Sequence, residues 1–403
     1  MHIALARSDN MGDLLFTLPL ISSLKKNIPD LEITLIARDY VKDIANASDL
    51  IDTFISYDEL VSLGVSNASD YIKKYQIDSI IILKRNEYIL NLAKRIKIPH
   101  IVTNLKNYFW HSFSLNPLRW QIVNVNFVNK NETLHYAQKC LKFLKFYKIK
   151  SKVDRKKLCS SLRLNVKDYP KIIKILDRKK FNLIIHLGTN GNTSEWPLSH
   201  FDLLIKCMPK KVNIILTGTL EEKKKFSHIL SSSARVIDLF GKLTTGELLC
   251  LLKHADGIVA NATGPLHLAA ALDTRVLGLY PSRPVVNFTR WGPLGRHVDV
   301  ISAPTCELSE KNKKCSCMEK ISVEEVLNHI KKNVLFGREN VIDLHFFKEK
   351  TILVTGATSG IGRQLALDLA KNQARLILSG RSSLEMSSLQ EECRRFNALY
   401  TPV

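Results

Sequence analysis

The sequence predicts an α/β protein built from parallel sheets, and three observations carry that expectation. Short apolar runs break at glycine-containing turns and pass into apolar residues at helical spacing, and this happens in three separate regions. A chain of 403 residues exceeds one ordinary core and accommodates two domains of about 150 residues plus a remainder. Hydrophobic residues make up 45% of the chain and charged residues 24%, as in soluble globular proteins and unlike disordered or fibrous ones.

The first unit opens with the run His2–Ala6, breaks at Asp9, Asn10, Met11 and Gly12, and continues with Leu14, Leu15, Leu18, Ile21 and Leu24 at helical spacing. Further strands are expected at Glu32–Ala37 and Ser79–Leu83. The stretch Lys139–Lys157 carries nine Lys or Arg against Asp154, and Leu141, Phe143, Leu144 and Tyr147 suit one face of a basic helix. Periodicity then fades near residues 150–172, which places a boundary there. A second region runs through Asn182–Leu187 with Gly188, Val212–Thr217 with Gly218, and Asp256–Ala260 before another glycine turn and apolar helix. Ser322–Asn333 reads as a closing amphipathic helix. The third unit is the strand Thr351–Thr355, the glycines Gly356, Gly360 and Gly362, a helix through Ala370 and the strand Arg375–Ser379. The expected organisation is therefore a domain at 1–160, a domain at 161–335, and a segment at 346–403 too short to complete a doubly wound sheet.

Lys and Arg number 59 against 38 Asp and Glu, a net charge of +21. Such a balance suits nucleic acid, acidic lipid headgroups or phosphorylated glycans, or is simply a solvated lysine-rich face. No interleaved basic and aromatic stripe is present, so nucleic acid is not expected as a partner. No run approaches the roughly 18 apolar residues of a membrane span, and Arg7 and Asp9 interrupt any secretory apolar region. The expected location is the cytoplasm, at most peripheral to an anionic membrane face. The eight cysteines do not form a disulfide framework, and the cluster Cys306, Cys315, Cys317 lacks a fourth ligand at zinc spacing, so no metal is expected.

Two segments carry candidate chemistry. In NATGPLHLAAAL, Asn261–Leu272, a turn opening onto a helix N-terminus after an apolar strand makes an anion site, with Thr263 and Gly264 offering donors and His267 one turn in. The alternative is an ordinary capped core helix. In DNMGDLLFTLPL, Asp9–Leu20, Asp13 stands in the first helical turn beside Gly12, placed to accept a proton from a hydroxyl or merely to complement the helix dipole.

RSDNMGDLLFTLPLISSLKKNIPDLEI, HLGTNGNTSEWPLSHFDLL, LTGTLEE, LFGKLTTGELLCLLKHAD and ANATGPLHLAAAL resemble, in that order, the lipopolysaccharide heptosyltransferases of glycosyltransferase family 9, over about residues 1–335. The resemblance implies a GT-B fold: two facing Rossmann-like domains, acceptor on the first and nucleotide sugar on the second. It implies that Asp13 is the general base, that Thr263, Gly264 and His267 hold the donor diphosphate, and that Thr189 and Asn190 contact phosphates and sugar. Glu221 would take a ribose hydroxyl and the backbone near Leu243 the base. The implied reaction is inverting transfer of heptose from ADP-heptose to a lipopolysaccharide core or related phosphorylated glycan or glycolipid, without cofactor or metal. The absence of an Asp-x-Asp pair agrees. Two positions depart from the family pattern: Ser194 stands where Lys is common and Ala262 where Asp is common, which bears on the donor sugar. Lys106, Arg119, Arg283, Arg290 and Arg296 are candidate acceptor contacts.

KTILVTGATSGIGRQLALDLA, Lys350–Ala370, resembles instead the first βα unit of the short-chain dehydrogenases, whose glycine turn receives a dinucleotide pyrophosphate. Gly356, Gly360 and Gly362 fill the three positions, and Arg381 would favour NADP if the fold were completed. No Tyr is followed by Lys four positions on, so hydride transfer is not expected of this segment alone. Two rival readings follow: part of a bifunctional transferase and reductase, or an inactive basic module binding glycan or nucleic acid.

Overall fold

The computed structural model describes residues 1–104, 121–124, 134–150, 164–189, 191, 193–225, 236–283, 286–305, 316–335, 349–371, 373–380, 382–394 and 400–402. They form two compact units, Met1–Ile330 and Lys331–Val403.

The first unit contains two six-stranded sheets. Strands β1 His2–Arg7, β2 Glu32–Ala37, β3 Thr53–Ser56, β4 Ser79–Ile82, β5 His100–Thr103 and β6 Gln121–Asn124 lie in the order β3-β2-β1-β4-β5-β6. Strands β7 Phe181–His186, β8 Val212–Thr217, β9 Val236–Asp238, β10 Gly257–Asn261, β11 Arg275–Tyr280 and β12 Val298–Ser302 lie in the order β12-β11-β10-β7-β8-β9. Counted from its own first strand, each sheet has the doubly wound order 3-2-1-4-5-6. All pairings are parallel, with Leu5 opposite Leu35 and Ile81, and Val259 opposite Ile185 and Leu277. The central strands are near-continuous apolar runs because helices cover both faces; Ile3–Leu5 and Leu183–Ile185 are wholly buried. In both sheets the order reverses at the centre, between β1 and β4 and between β7 and β10. The loops leaving these strands diverge there and leave a crevice.

Three expected helices differ in detail. The helix after β1 is two, Met11–Leu15 and Leu18–Asn27. Pro19, without an N–H, lies in the first turn of the second, and the Thr17 hydroxyl donates to the Asp13 carbonyl at 3.0 Å. The apolar spacing runs unbroken across the join, which is why periodicity alone reads one helix. Of the expected basic helix, Tyr136–Cys140 is α-helical and Leu141–Lys145 a 3₁₀ turn, and residues 151–157 lie outside the described residues. Its Leu141, Phe143 and Leu144 are buried, and so is Lys139. The closing helix is Val323–His329, capped by Ser322, and widens into a π-helical turn at Ile330–Leu335.

The two sheets share one apolar core, which takes in Leu14 and Phe16 from the first lobe and Leu266 and Leu294 from the second. Polar contacts join the lobes at the rim: Thr245 Oγ1 donates to the Tyr40 carbonyl at 2.8 Å, and Gly246 N to Asp43 Oδ2 at 2.7 Å.

The second unit has the parallel sheet β13 Thr351–Thr355, β14 Arg375–Ser379 and β15 Tyr400–Pro402. The helices Gly360–Lys371 and Ser383–Arg394 pack on it over a small core that includes Val354, Leu369, Leu376 and Leu389. Among the described residues, no helix is long and apolar enough to cross a membrane.

Asn261, fully buried at the end of β10, ties the two central loops of the second sheet together. Its Oδ1 accepts from Trp196 N at 2.9 Å and its Nδ2 donates to the Leu187 carbonyl at 2.9 Å. Replacing Asn261 by Leu strands both partners, so urea unfolding should show a loss of about 1–3 kcal/mol.

Candidate active site

The site begins at the last residue of β1. The Arg7 side chain is 1% exposed, with Nε 2.7 Å from Asp9 Oδ1 and Nη2 2.7 Å from Asp13 Oδ1. Nη1 donates to the Tyr136 hydroxyl at 3.0 Å. Burial works against the guanidinium charge, but Tyr136, Asp9 and Asp13 more than offset it, and its pKa is raised. Burial raises the neighbouring Asp9 carboxyl against the opposing pull of Arg7. Asp13, in the first turn of Met11–Leu15, is 14% exposed and faces a cavity of about 750 Å³.

The opposite wall is the start of the helix Gly264–Ala271. Thr263 precedes it in extended conformation, with no side-chain cap, and Pro265 occupies its first turn. The first-turn N–H groups are thus left for a ligand. By contrast Ser56, Asn86, Thr244 and Ser322 each cap the helix they precede. A Cβ on Gly264 would lie 2.3 Å from Met11 Cγ, and one on Gly12 would lie 3.0 Å from His267 Cδ2. The two helix starts touch because these residues have no side chain. His267 is buried, and burial with nearby His135 lowers its pKa to about 3. It is therefore neutral, and its Nδ1 has no hydrogen-bond partner among the described residues.

The floor comes from the loops after β7 and β8. Thr189 donates from N at 3.1 Å and from Oγ1 at 2.8 Å to Glu195 Oε1. His186 Nδ1 lies 2.9 Å from Thr217 Oγ1. Burial, outweighing nearby Glu222, holds this histidine below its ordinary range.

Asp13, Thr189, Leu243, Thr263, Gly264 and His267 all line this one cavity, as does Ala262. Glu221 does not. It is exposed, and the buried acid on the cavity wall is its neighbour Glu222. Glu222 Oε2 accepts from Thr219 N at 2.8 Å, and Glu222 N donates to Thr219 Oγ1 at 3.2 Å. This is a reciprocal capping box, whose Thr-x-x-Glu spacing was the available sequence signal. Gly188 and Gly218 make room for the carboxylate: a Cβ on Gly188 would overlap Oε1 outright. Asn190, Lys106, Arg119, Cys306, Cys315 and Arg381 lie outside the described residues. Arg283, Arg290, Arg296 and Ser194 are not on the cavity wall, and no Lys or Arg is among its described residues.

Away from the cavity, Asp168, Cys250 and His254 cluster. Asp168 Oδ1 already accepts from His254 Nε2 at 2.7 Å and Lys253 Nζ at 3.2 Å, and burial keeps the Cys250 thiol protonated. In the second unit Gly356 and Gly360 have φ of +64° and +53°, and a Cβ on Gly362 would lie 2.3 Å from the Gly356 carbonyl oxygen. The motif's three glycines are thus each required by the turn's geometry.

Two facing doubly wound lobes with a carboxylate opposite an open helix N-terminus define a glycosyltransferase of the GT-B fold. The sequence pattern described as Glycosyltransferase family 9 (heptosyltransferase) matches residues 82–321, and the chain belongs to that family. Lipopolysaccharide heptosyltransferase 1 of Campylobacter coli is 24% identical over 362 residues, covering 84% of this chain and 100% of that protein. Lipopolysaccharide heptosyltransferase 3 of Escherichia coli is 24% identical over 314 residues, 70% of this chain and 83% of that one. Among solved structures, E. coli ADP-heptose lipopolysaccharide heptosyltransferase II shares the fold at a TM-score of 0.64 and 16% identity, over 84% of this chain and 100% of that one. E. coli heptosyltransferase WaaC with ADP does so at 0.58 and 17%, over 83% and 100%. The short chain dehydrogenase pattern matches residues 350–403.

The neutral cavity histidine makes stability pH-dependent. An unfolded His267 takes up its proton near 6.5, the folded one only near 3. Stability is therefore full above about pH 6.5 and falls as the pH drops towards 3, by on the order of 1 kcal/mol per pH unit. Urea midpoints measured between pH 7.5 and 4.5 should show a slope of this sign, and His267→Asn should reduce it, with buried His186 supplying the part that remains.

Proposed function

We propose that the first unit transfers heptose from ADP-heptose, with inversion, to a hydroxyl of a lipopolysaccharide core or related phosphorylated glycan or glycolipid. The observation that carries the reading is that Asp13 and the uncapped turn Thr263–His267 face each other across one cavity of about 750 Å³. Asp13 takes the proton from the acceptor hydroxyl, and the oxygen attacks the anomeric carbon in line. The anomeric C–O bond to the diphosphate breaks on the far side with its electron pair leaving on the diphosphate oxygen, and the Thr263 hydroxyl and the first-turn N–H groups of Gly264–Ala271 stabilise that charge by donating to it. Glu222 accepts from the ribose hydroxyls, a role its buried, backbone-anchored carboxylate supports better than exposed Glu221. Ala262, beside Thr263, leaves the sugar pocket without the carboxylate common in the family.

No step needs a divalent ion. The excess of cations, absent from the described cavity wall, serves the anionic acceptor and peripheral contact with an anionic membrane face from the cytoplasmic side. For the second unit, the glycine turn suits a dinucleotide pyrophosphate, and NADP binding is expected of it only together with further strands of a doubly wound sheet.

Asp13→Asn should lower transfer by about 10²–10⁴-fold while ADP still binds by calorimetry; full activity in that variant would overturn the assignment of the base. Transfer should also persist in excess EDTA, and a panel of nucleotide sugars titrated calorimetrically should bind ADP-heptose most tightly.

A further inference from the structure

The anchor of the base reaches into the second lobe. Tyr136, whose hydroxyl accepts from Arg7 Nη1 at 3.0 Å, also lies beneath the guanidinium, with its ring centre 5.1 Å from Cζ. Burial pushes its pKa up to about 12, so the phenol is neutral. The other face of its environment is Trp291, stacked on it at 4.5 Å between ring centres and 16° between planes. Trp291 belongs to the second lobe and lines the cavity. Its carbonyl accepts from the Tyr280 hydroxyl at 3.1 Å. The preceding residue of the Tyr136 helix is pinned as well: His135 Nε2 lies 2.8 Å from the Gly292 carbonyl oxygen. A carbonyl only accepts, so the proton is on Nε2, and Nδ1 accepts from Ala137 N at 3.2 Å to cap the helix. A ring stack and a hydrogen bond thus fasten the start of this helix to Trp291 and Gly292.

We propose that Tyr136 and Trp291 are positioning residues that act through Arg7, so that the Asp13 carboxylate is held in the cavity only while the two lobes are closed on each other. The inference rests on Asp13 being the base. A guanidinium is a rigid planar fork, and its orientation is set by all its partners together. Here two of those partners are carboxylates, Asp9 in the loop after β1 and Asp13 in the helix that follows, and the third is a phenol whose ring is braced by the opposite lobe. Separating the lobes removes the brace, and with it the constraint on the Arg7–Asp13 pair.

The test uses Tyr136→Phe, which keeps the ring and deletes the hydroxyl, together with Trp291→Leu, the double variant, Trp291→Phe and Asp13→Asn, all in the full chain. Tyr136→Phe should lower kcat about ten-fold with the Kd for ADP unchanged. The KM for the donor should stay unchanged, since the hydroxyl acts on the position of the base and not on the donor site. Trp291→Leu should lower kcat in the same way, and Trp291→Phe should restore it. The double variant should be no slower than the slower single one, since both act through one guanidinium. Unchanged kcat in Tyr136→Phe, losses confined to KM, or effects that multiply in the double variant would each overturn the relay. If those variants are normal while Asp13→Asn is inactive, the relay alone fails; if Asp13→Asn is active, the base assignment and the relay fall together.

Discussion

The structure depends on two helix N-termini meeting tip to tip, one from each lobe. Met11–Leu15 and Gly264–Ala271 both start at the end of a central strand, and each presents a glycine where the other presents a side chain: Gly264 to Met11, and Gly12 to His267. With the positive ends of both helices directed into one crevice, negative charge is favoured there. The same approach sets the depth of the cavity and brings the carboxylate of one lobe opposite the open amides of the other. It also places Phe16 against His267, at 4.9 Å between ring centres, so the apolar core continues directly beneath the polar site.

Charge is distributed accordingly. The chain carries a net +21, yet the described cavity wall has no Lys or Arg. Its ionisable side chains include Asp13, tied to Arg7, and Glu222, tied to the backbone of Thr219, with His186 and His267 kept neutral by burial. An anionic leaving group in such a place relies on fixed N–H and hydroxyl dipoles, which act strongly where water is excluded.

Several elements could be read residue by residue from the sequence. The strands Glu32–Ala37 and Val212–Thr217 have the expected bounds, because a strand covered on both faces must be apolar nearly throughout, and its polar neighbours mark its ends; Thr351–Thr355 and Arg375–Ser379 also have the expected bounds, although Leu353 is exposed and both are only partly covered. The break after β1 leaves no mark in the apolar pattern: Leu14, Leu15 and Leu18 keep helical spacing across a join that Pro19 and Thr17 create. Glu221 and Glu222 show how a single residue is decided by a cap. Both follow a glycine turn, but Thr219 as N-cap places the second acid, not the first, back over the helix start, and Gly188 and Gly218 leave room for it. Asp13 had two readings, a dipole complement or a base; its ion pair with a buried arginine is a feature that neither reading contained.

By itself the sequence determined the alternation of apolar strand, glycine turn and helix, which follows from local rules: side-chain periodicity, backbone freedom at glycine, and capping within a few residues. Two facing Rossmann-like domains were implied by the family resemblance, and the doubly wound strand order was decided by the tertiary structure. Which loop faces which was settled by the packing of the lobes. Arg7 and Tyr136 meet across 129 residues of chain, and Tyr136 meets Trp291 across a lobe boundary; contacts of this kind arise from the shared apolar core and leave no trace in the spacing of residues along one segment.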